Sequence, residues 1–158
     1  MNIYEAIRED HEIQRDLCDK LLKTSGESKE RKELWPELRK ELEVHEVAEE
    51  RYFYSPLIDT DSMQEDARHG MAEHHEIDEL IQELEATKMD SPHCLATMKK
   101  LSDKVHHHLE DEEEEFFGKA KKVYTQKESE ELAENYKKSR EDYKKGWPES
   151  IPGSHNVE

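Results

Sequence analysis

The chain has 158 residues, 32% of them hydrophobic and 41% charged, with a formal net charge of -17. This length allows one domain, but the apolar content is too low for a large core and fits long amphipathic helices with one apolar stripe each. The excess of acid argues against nucleic acid or an anionic membrane as the main partner. No apolar run approaches the ~20 residues of a membrane span. The opening Met1-Asn2-Ile3-Tyr4-Glu5 does not read as a secretory signal. Cys18 and Cys94 make neither a disulfide framework nor a Cys-x-x-Cys site, so a reducing cytoplasm is the expected compartment. Five glycines and five prolines are too few for a strand-and-turn protein. Ten histidines are the unusual count.

The first helix is expected over about Ile3 to Lys23, with Ile3, Ile7, His11, Gln14, Leu17 and Leu21 at helical spacing. Gly26 suits a C-terminal cap and Ser28 an N-cap. The second helix runs from Lys29 to Ser55 through Leu34, Leu38, Leu42, His45, Glu49 and Phe53, with Pro36 in its first turns or at a kink and Ser55-Pro56 closing it. The third starts at a cap near Asp61 or Ser62 and carries Met63, Ala67, Met71, His74, Ile77, Ile81 and Leu84. The fourth begins at Pro92 and carries Leu95, Met98, Leu101, Val105, His108, Glu112 and Phe116. A fifth, short amphipathic helix spans about Lys127 to Lys145, and Gly146-Trp147-Pro148 ends it. Short connections between long helices predict an all-α, up-down-up-down antiparallel four-helix bundle with a short extra C-terminal helix. Residues 1–146 form the domain and 147–158 a flexible tail in this reading.

Polar residues interrupt each apolar stripe. His45 and Glu49 lie between Leu42 and Phe53, and His108 and Glu112 between Val105 and Phe116. His74 lies between Met71 and Ile77, and His11 follows Ile7 by one turn. Buried ionisable groups are costly unless paired or metal-bound, so four histidines and two glutamates facing one core need a shared solution. Their heights agree: measured from the connections near residues 26, 58 and 90, the histidines of successive helices lie about 13 to 19 residues away, within roughly one turn at ~1.5 Å per residue. A four-residue spacing sets two ligands on one helix face. Imidazole nitrogen with carboxylate oxygen suits iron or manganese, and zinc less exclusively. Two glutamates on different helices could each bridge two metals, with two histidines per metal.

The set His11, His45-xxx-Glu49, His74 and His108-xxx-Glu112 resembles the hemerythrin-like family, the HHE cation-binding domain. Asp10-His11-Glu12, His45-Glu46-Val47-Ala48-Glu49-Glu50, Glu73-His74-His75-Glu76-Ile77 and the acids running from His108 to Phe116-Phe117 carry the likeness over about residues 1 to 145. It implies a centre of two non-haem iron ions, oxo- or hydroxo-bridged, with two bridging carboxylates. The sequence departs from the oxygen carriers of that family, which have a second histidine four residues away on the third helix. Here those positions are Gly70 and Asp78. The carriers' last carboxylate is an aspartate five residues after its histidine, whereas Glu112 follows His108 by four and Glu113 by five. Water, Tyr52, Tyr54 or Glu46 is the expected substitute for the missing histidine.

Other residues are read as structural. His69, His75, His106 and His107 fall off the stripes and belong to the surface; His93 belongs to a loop and His155 to the tail. Glu110, Asp111 and Glu113 to Glu115 read as a solvated face, Met71 and Met98 as core packing, and Cys18 as a core thiol. A ferritin-like centre needs Glu three residues before His, but Leu42, Met71 and Val105 hold those positions. The expected function is binding of a small diatomic ligand (dioxygen or nitric oxide) or of peroxide, for oxygen or redox sensing or stress response. A peroxide-consuming, catalase-like enzyme and an iron-responsive protein-interaction module are the alternatives.

Overall fold

The structure, a computed structural model, describes residues 1–146; the tail expected at 147–158 lies outside the described residues. Helix α1 (Ile3–Leu22) starts at Asn2, whose side chain accepts from the Glu5 N–H while the Glu5 carboxylate accepts from the Asn2 N–H. Gly26 adopts φ +47° in the turn beyond α1 rather than capping it; Lys23 is the C-cap. Helix α2 (Lys29–Glu49) is capped by Ser28 and continues past Pro36. It runs without a break into a π-helical turn (Glu50–Tyr54) and α3 (Ser55–Ile58), so Ser55-Pro56 does not close the helix. The wide turn is the reason. The Ser55 N–H bonds to the Glu50 carbonyl five residues back, and Pro56 then opens α3, where its missing N–H costs little.

Helix α4 (Gln64–Glu85) starts at Met63 with no side-chain cap, not at Asp61 or Ser62; Met63 is instead buried in the core. Helix α5 (Pro92–Asp111) has Ser91 as N-cap and Pro92 in its first turn. It continues through a second π-helical turn (Glu112–Phe116) into α6 (Phe117–Ala120). Helix α7 (Gln126–Lys145) is capped by a reciprocal Thr125–Glu128 pair and ends at Gly146.

These helices make a four-helix bundle in which α1 packs on α2 and α5, and α4 packs on α5 and α2. Helix α7 lies across α1 and α2, burying Ala133 and Tyr136. No strand occurs among the described residues, and no helix there is long and apolar enough to cross a membrane. The apolar core is split. One cluster gathers Ile3, Ile7, Phe53, Leu57, Met63 and Phe117 at one end. The other gathers Leu17, Leu38, Leu42, Ile81, Met98 and Leu101 at the far end. Each fully buried side chain of this kind is worth about 1.5–3 kcal/mol. On all four bundle rods the apolar stripe is interrupted at one level, and there Asp10, His11, His45, Glu49, His74, His108 and Glu112 are buried instead.

Candidate metal centre

The six residues singled out by spacing converge in that polar layer. Ligand atoms of His11, His45, Glu49 and Glu112 all lie within 4.8 Å of one another, and so do those of Glu49, His74 and His108. Glu49 belongs to both groups. Its Oε2 is 3.4 Å from His45 Nε2, and its Oε1 is 3.0 Å from His74 Nε2 and 3.9 Å from His108 Nε2. Glu112 is split the same way: Oε1 lies 3.1 Å from His11 Nε2, and Oε2 lies 3.8 Å from His108 Nε2. Each carboxylate thus offers one oxygen to either half of the site.

The outward nitrogens of the four imidazoles are all taken. His11 Nδ1 meets Glu113 Oε2 at 2.6 Å, His74 Nδ1 meets Glu50 Oε2 at 2.8 Å, and His108 Nδ1 meets Glu73 Oε1 at 2.8 Å. His45 Nδ1 donates to the Tyr136 hydroxyl at 2.6 Å; that hydroxyl donates to Asp10, which is also paired with Arg140. Every such carboxylate comes from a neighbouring rod. Asp10 of α1 serves α2, Glu50 serves α4, Glu73 of α4 serves α5, and Glu113 serves α1. The result is a closed ring of carboxylate–imidazole links around the bundle. With Nδ1 donating, each ring turns Nε2 inward, the nitrogen that would take a metal once its proton is displaced. Those four Nε2 atoms, both Glu49 oxygens and Glu112 Oε1 are buried without a hydrogen-bond partner. Seven such atoms facing one another would be a severe penalty in a structure with no ion to share.

The electrostatics carry the same signature. Burial works against charge on His45, but Glu49 and Asp10 hold its pKa well above the ordinary value. His108 is likewise opposed by burial, yet Glu49 and Glu73 push it up to about 10. Burial and the charge of Glu49 raise Glu112, whereas His45, His108 and His74 overcome burial to hold Glu49 well below the carboxylate range. Imidazoles held in the charged form beside paired carboxylates mark a layer with excess negative charge, which a divalent cation would neutralise in place of those protons.

Of the substitutes expected for the missing histidine, Tyr54 reaches the centre. Its hydroxyl donates to Glu112 and its ring stacks on His74 with centroids 5.4 Å apart. A Cβ at Gly70 would fall 2.7 Å from the Tyr54 ring carbon and hydroxyl. The position one turn before His74 therefore holds glycine because Tyr54, arriving from the π-helical turn, fills the space. Burial and Glu112 raise the Tyr54 pKa well above its ordinary value, so the hydroxyl keeps its proton. Glu46 is buried but is turned to Asp78, and burial with Asp78 raises its pKa well above normal. Tyr52 is partly buried against the apolar end cluster and borders a groove with Arg51 and Asn135.

One π-helical turn follows directly on His45-xxx-Glu49 and the other begins at Glu112 itself, and each lets consecutive glutamates serve the site from different angles. Glu49 and Glu112 face inward while Glu50 and Glu113 reach the imidazoles of adjacent rods. Glu113 is accordingly not part of a solvated face: it is bonded to His11 and Arg15. Spacing alone missed Asp10, Glu50, Glu73 and Tyr136 as partners of the imidazoles. The available signal was an acid immediately beside each inward residue, in Asp10-His11, Glu49-Glu50, Glu73-His74 and Glu112-Glu113. Cys18 is a core thiol whose pKa burial pushes up to about 12.

A cavity of about 90 Å³ lies between α4 and α5; Tyr54, Glu73, His108 and Glu112 are its buried lining, and His69 and Asp111 are lining residues open to solvent. Comparison with known proteins agrees with this architecture. A hemerythrin HHE cation-binding domain protein from Mycobacterium kansasii is 24% identical in sequence. It superposes with a TM-score of 0.82 over 97% of this chain and 96% of that one, which establishes the shared fold. No curated protein matches the chain. The family description that does match, hemerythrin HHE cation binding domain, covers residues 2–120. The chain belongs to the hemerythrin HHE cation-binding domain family.

Proposed function

We propose that the chain is a non-haem two-iron protein. His11 and His45 hold one ion, His74 and His108 the other, and Glu49 and Glu112 bridge them. The observation that carries this reading is the set of four inward Nε2 atoms buried without hydrogen-bond partners around two carboxylates that each point one oxygen to either half. In this reading Tyr54 fills the space of the histidine that Gly70 excludes and covers the His74/His108 half by donating to Glu112, without becoming a ligand. When bound, the ions supply redox chemistry toward dioxygen, nitric oxide or peroxide, in the service of oxygen or redox sensing or stress response. The chain's own residues prepare the site. The carboxylate ring orients the imidazoles, Phe116 and Phe117 exclude bulk water, and the Tyr54 hydroxyl keeps a proton beside Glu112 in the buried lining of the cavity. Anaerobic reconstitution with ferrous iron followed by metal counting tests the reading. Two irons per chain are expected, with an oxo-bridge absorption band on admission of air; one ion or none would overturn it.

Peroxide-consuming turnover is a second reading, favoured by that hydroxyl, a proton-bearing group at the open side of the centre. The iron-loaded chain and its Tyr54→Phe variant, compared in steady-state peroxide consumption, separate the two. Turnover that drops in the variant at equal iron content supports an enzyme; a single stoichiometric oxidation in both supports a sensor.

A further inference from the structure

Two more His-xxx-carboxylate pairs face each other outside the buried layer. His69-xxx-Glu73 lies on α4 and His107-xxx-Asp111 on α5. His69 Nε2 is 3.5 Å from Glu73 Oε1, and His107 Nε2 is 3.1 Å from Asp111 Oδ2 and 3.9 Å from Glu73 Oε2. Ligand atoms of His69, Glu73 and Asp111 lie within 4.8 Å of one another. His75-xxx-Glu79 has the same spacing, but both side chains are exposed and the two pair with each other. It is an ordinary surface pair. The α4–α5 cluster differs because Glu73 is buried, 3% exposed, and is held in place by His108 through Oε1. Its Oε2 accepts no hydrogen bond among the described residues and lies 3.9 Å from His107 Nε2.

We propose that His69, Glu73 and Asp111 form a second, peripheral divalent-cation site through which ferrous iron passes to the buried centre. One imidazole and two carboxylates, with His107 beside Asp111, are a donor set for a borderline divalent ion. Half-exposed ligands compete with water and hold it loosely, as transit requires. The rim carboxylates Asp66 and Glu115 line the same cavity and raise the local concentration of cations. From this site the cavity leads to His108 and Glu112, and Glu73 touches both ends of the route. The delivery role rests on the two-iron reading above; the existence of the peripheral site does not.

The test variant is His69→Ala/Asp111→Ala. Glu73 is left intact because it positions His108. In anaerobic titration of the metal-free chain with limiting ferrous iron, the variant should reach the wild-type final count in the buried centre but fill about tenfold more slowly. Equal filling rates overturn the delivery role. The site itself is read separately, with Mn2+ and a Glu49→Ala/Glu112→Ala chain whose buried centre is disabled. One Mn2+ should bind, and adding His69→Ala/Asp111→Ala should abolish it. Mn2+ bound by both chains or by neither overturns the site. Failure of wild type to take two irons instead counts against the two-iron reading, whatever the Mn2+ result.

Discussion

The two halves of the centre have the same inventory, two imidazoles and a share of Glu49 and Glu112, yet they are closed differently. The His11/His45 half lies beneath α7. Tyr136 and Arg140 lock Asp10 behind His45, and Phe117 stacks on His11 with the rings 7° from parallel. The His74/His108 half borders the cavity and has the Tyr54 hydroxyl beside Glu112. The difference teaches that the ligands fix which ion is held, while the groups behind and above them fix which side a small molecule can reach.

Removing what the halves share should have the largest effect. Glu49→Ala should empty both, taking bound iron from two per chain to none, and Glu112→Ala should do the same. Glu113→Ala should keep both ions and weaken retention about 10- to 100-fold, because it only orients His11. Metal counting after dialysis against a chelator checks all three. A Glu113→Ala chain as empty as Glu112→Ala would return Glu113 to the ligands.

Opening the closed half should come next. Arg140→Ala leaves the fully buried Asp10 with only the Tyr136 and His45 groups, and should cost about 2–3 kcal/mol in urea unfolding of the metal-free chain. Tyr136→Phe removes the hydroxyl between His45 and Asp10 and should cost about 1–3 kcal/mol. Neither should alter the visible spectrum of a ligand such as azide bound to the loaded protein, if exogenous ligands enter on the other side.

Crowding the open half should cost a similar or smaller amount but reverse that spectral pattern. Gly70→Ala places a methyl 2.7 Å from Tyr54, and moving the ring should cost about 1–3 kcal/mol. It should shift the azide spectrum while leaving two irons bound. An unchanged spectrum would place the exchangeable position elsewhere.

The smallest effect is in pH. His108 in the metal-free chain is raised from 6.5 to about 10, so its contribution to stability is fully present below pH 6.5 and is lost as pH rises toward 10. In the loaded chain that imidazole carries no proton, so its contribution is flat over the same window. Metal must displace the proton, so affinity rises with pH. The melting-temperature gap between loaded and metal-free protein should therefore widen from pH 6.5 to 10. A gap that narrowed would mean that His108 binds metal without losing a proton.

Much of this was legible from spacing. The stripes Ile3-Ile7-His11 and Leu38-Leu42-His45-Glu49 reported helix and inward face together, because both depend on the local 3.6-residue period. The ends were less legible. Pro56 reads locally as a stop, but a π-helical turn whose neighbours pack around Phe53 and Tyr54 carries the helix past it. Met63 displaced the expected polar cap because its burial in the core outweighs a surface hydrogen bond.

The sequence by itself determined that the protein is a helical bundle with His11, His45, Glu49, His74, His108 and Glu112 turned into its core at one height. Periodicity and spacing along a single helix suffice for that. Only the tertiary structure decided which carboxylate supports which imidazole, since each link joins different rods and spans 24 to 102 residues of chain. It likewise decided that Tyr54 fills the space beside Gly70 and that the cavity opens on His69 and Asp111. Contacts between rods depend on the rotation of each about its own axis. The two π-helical turns set part of that rotation, and no local pattern of residue types records it.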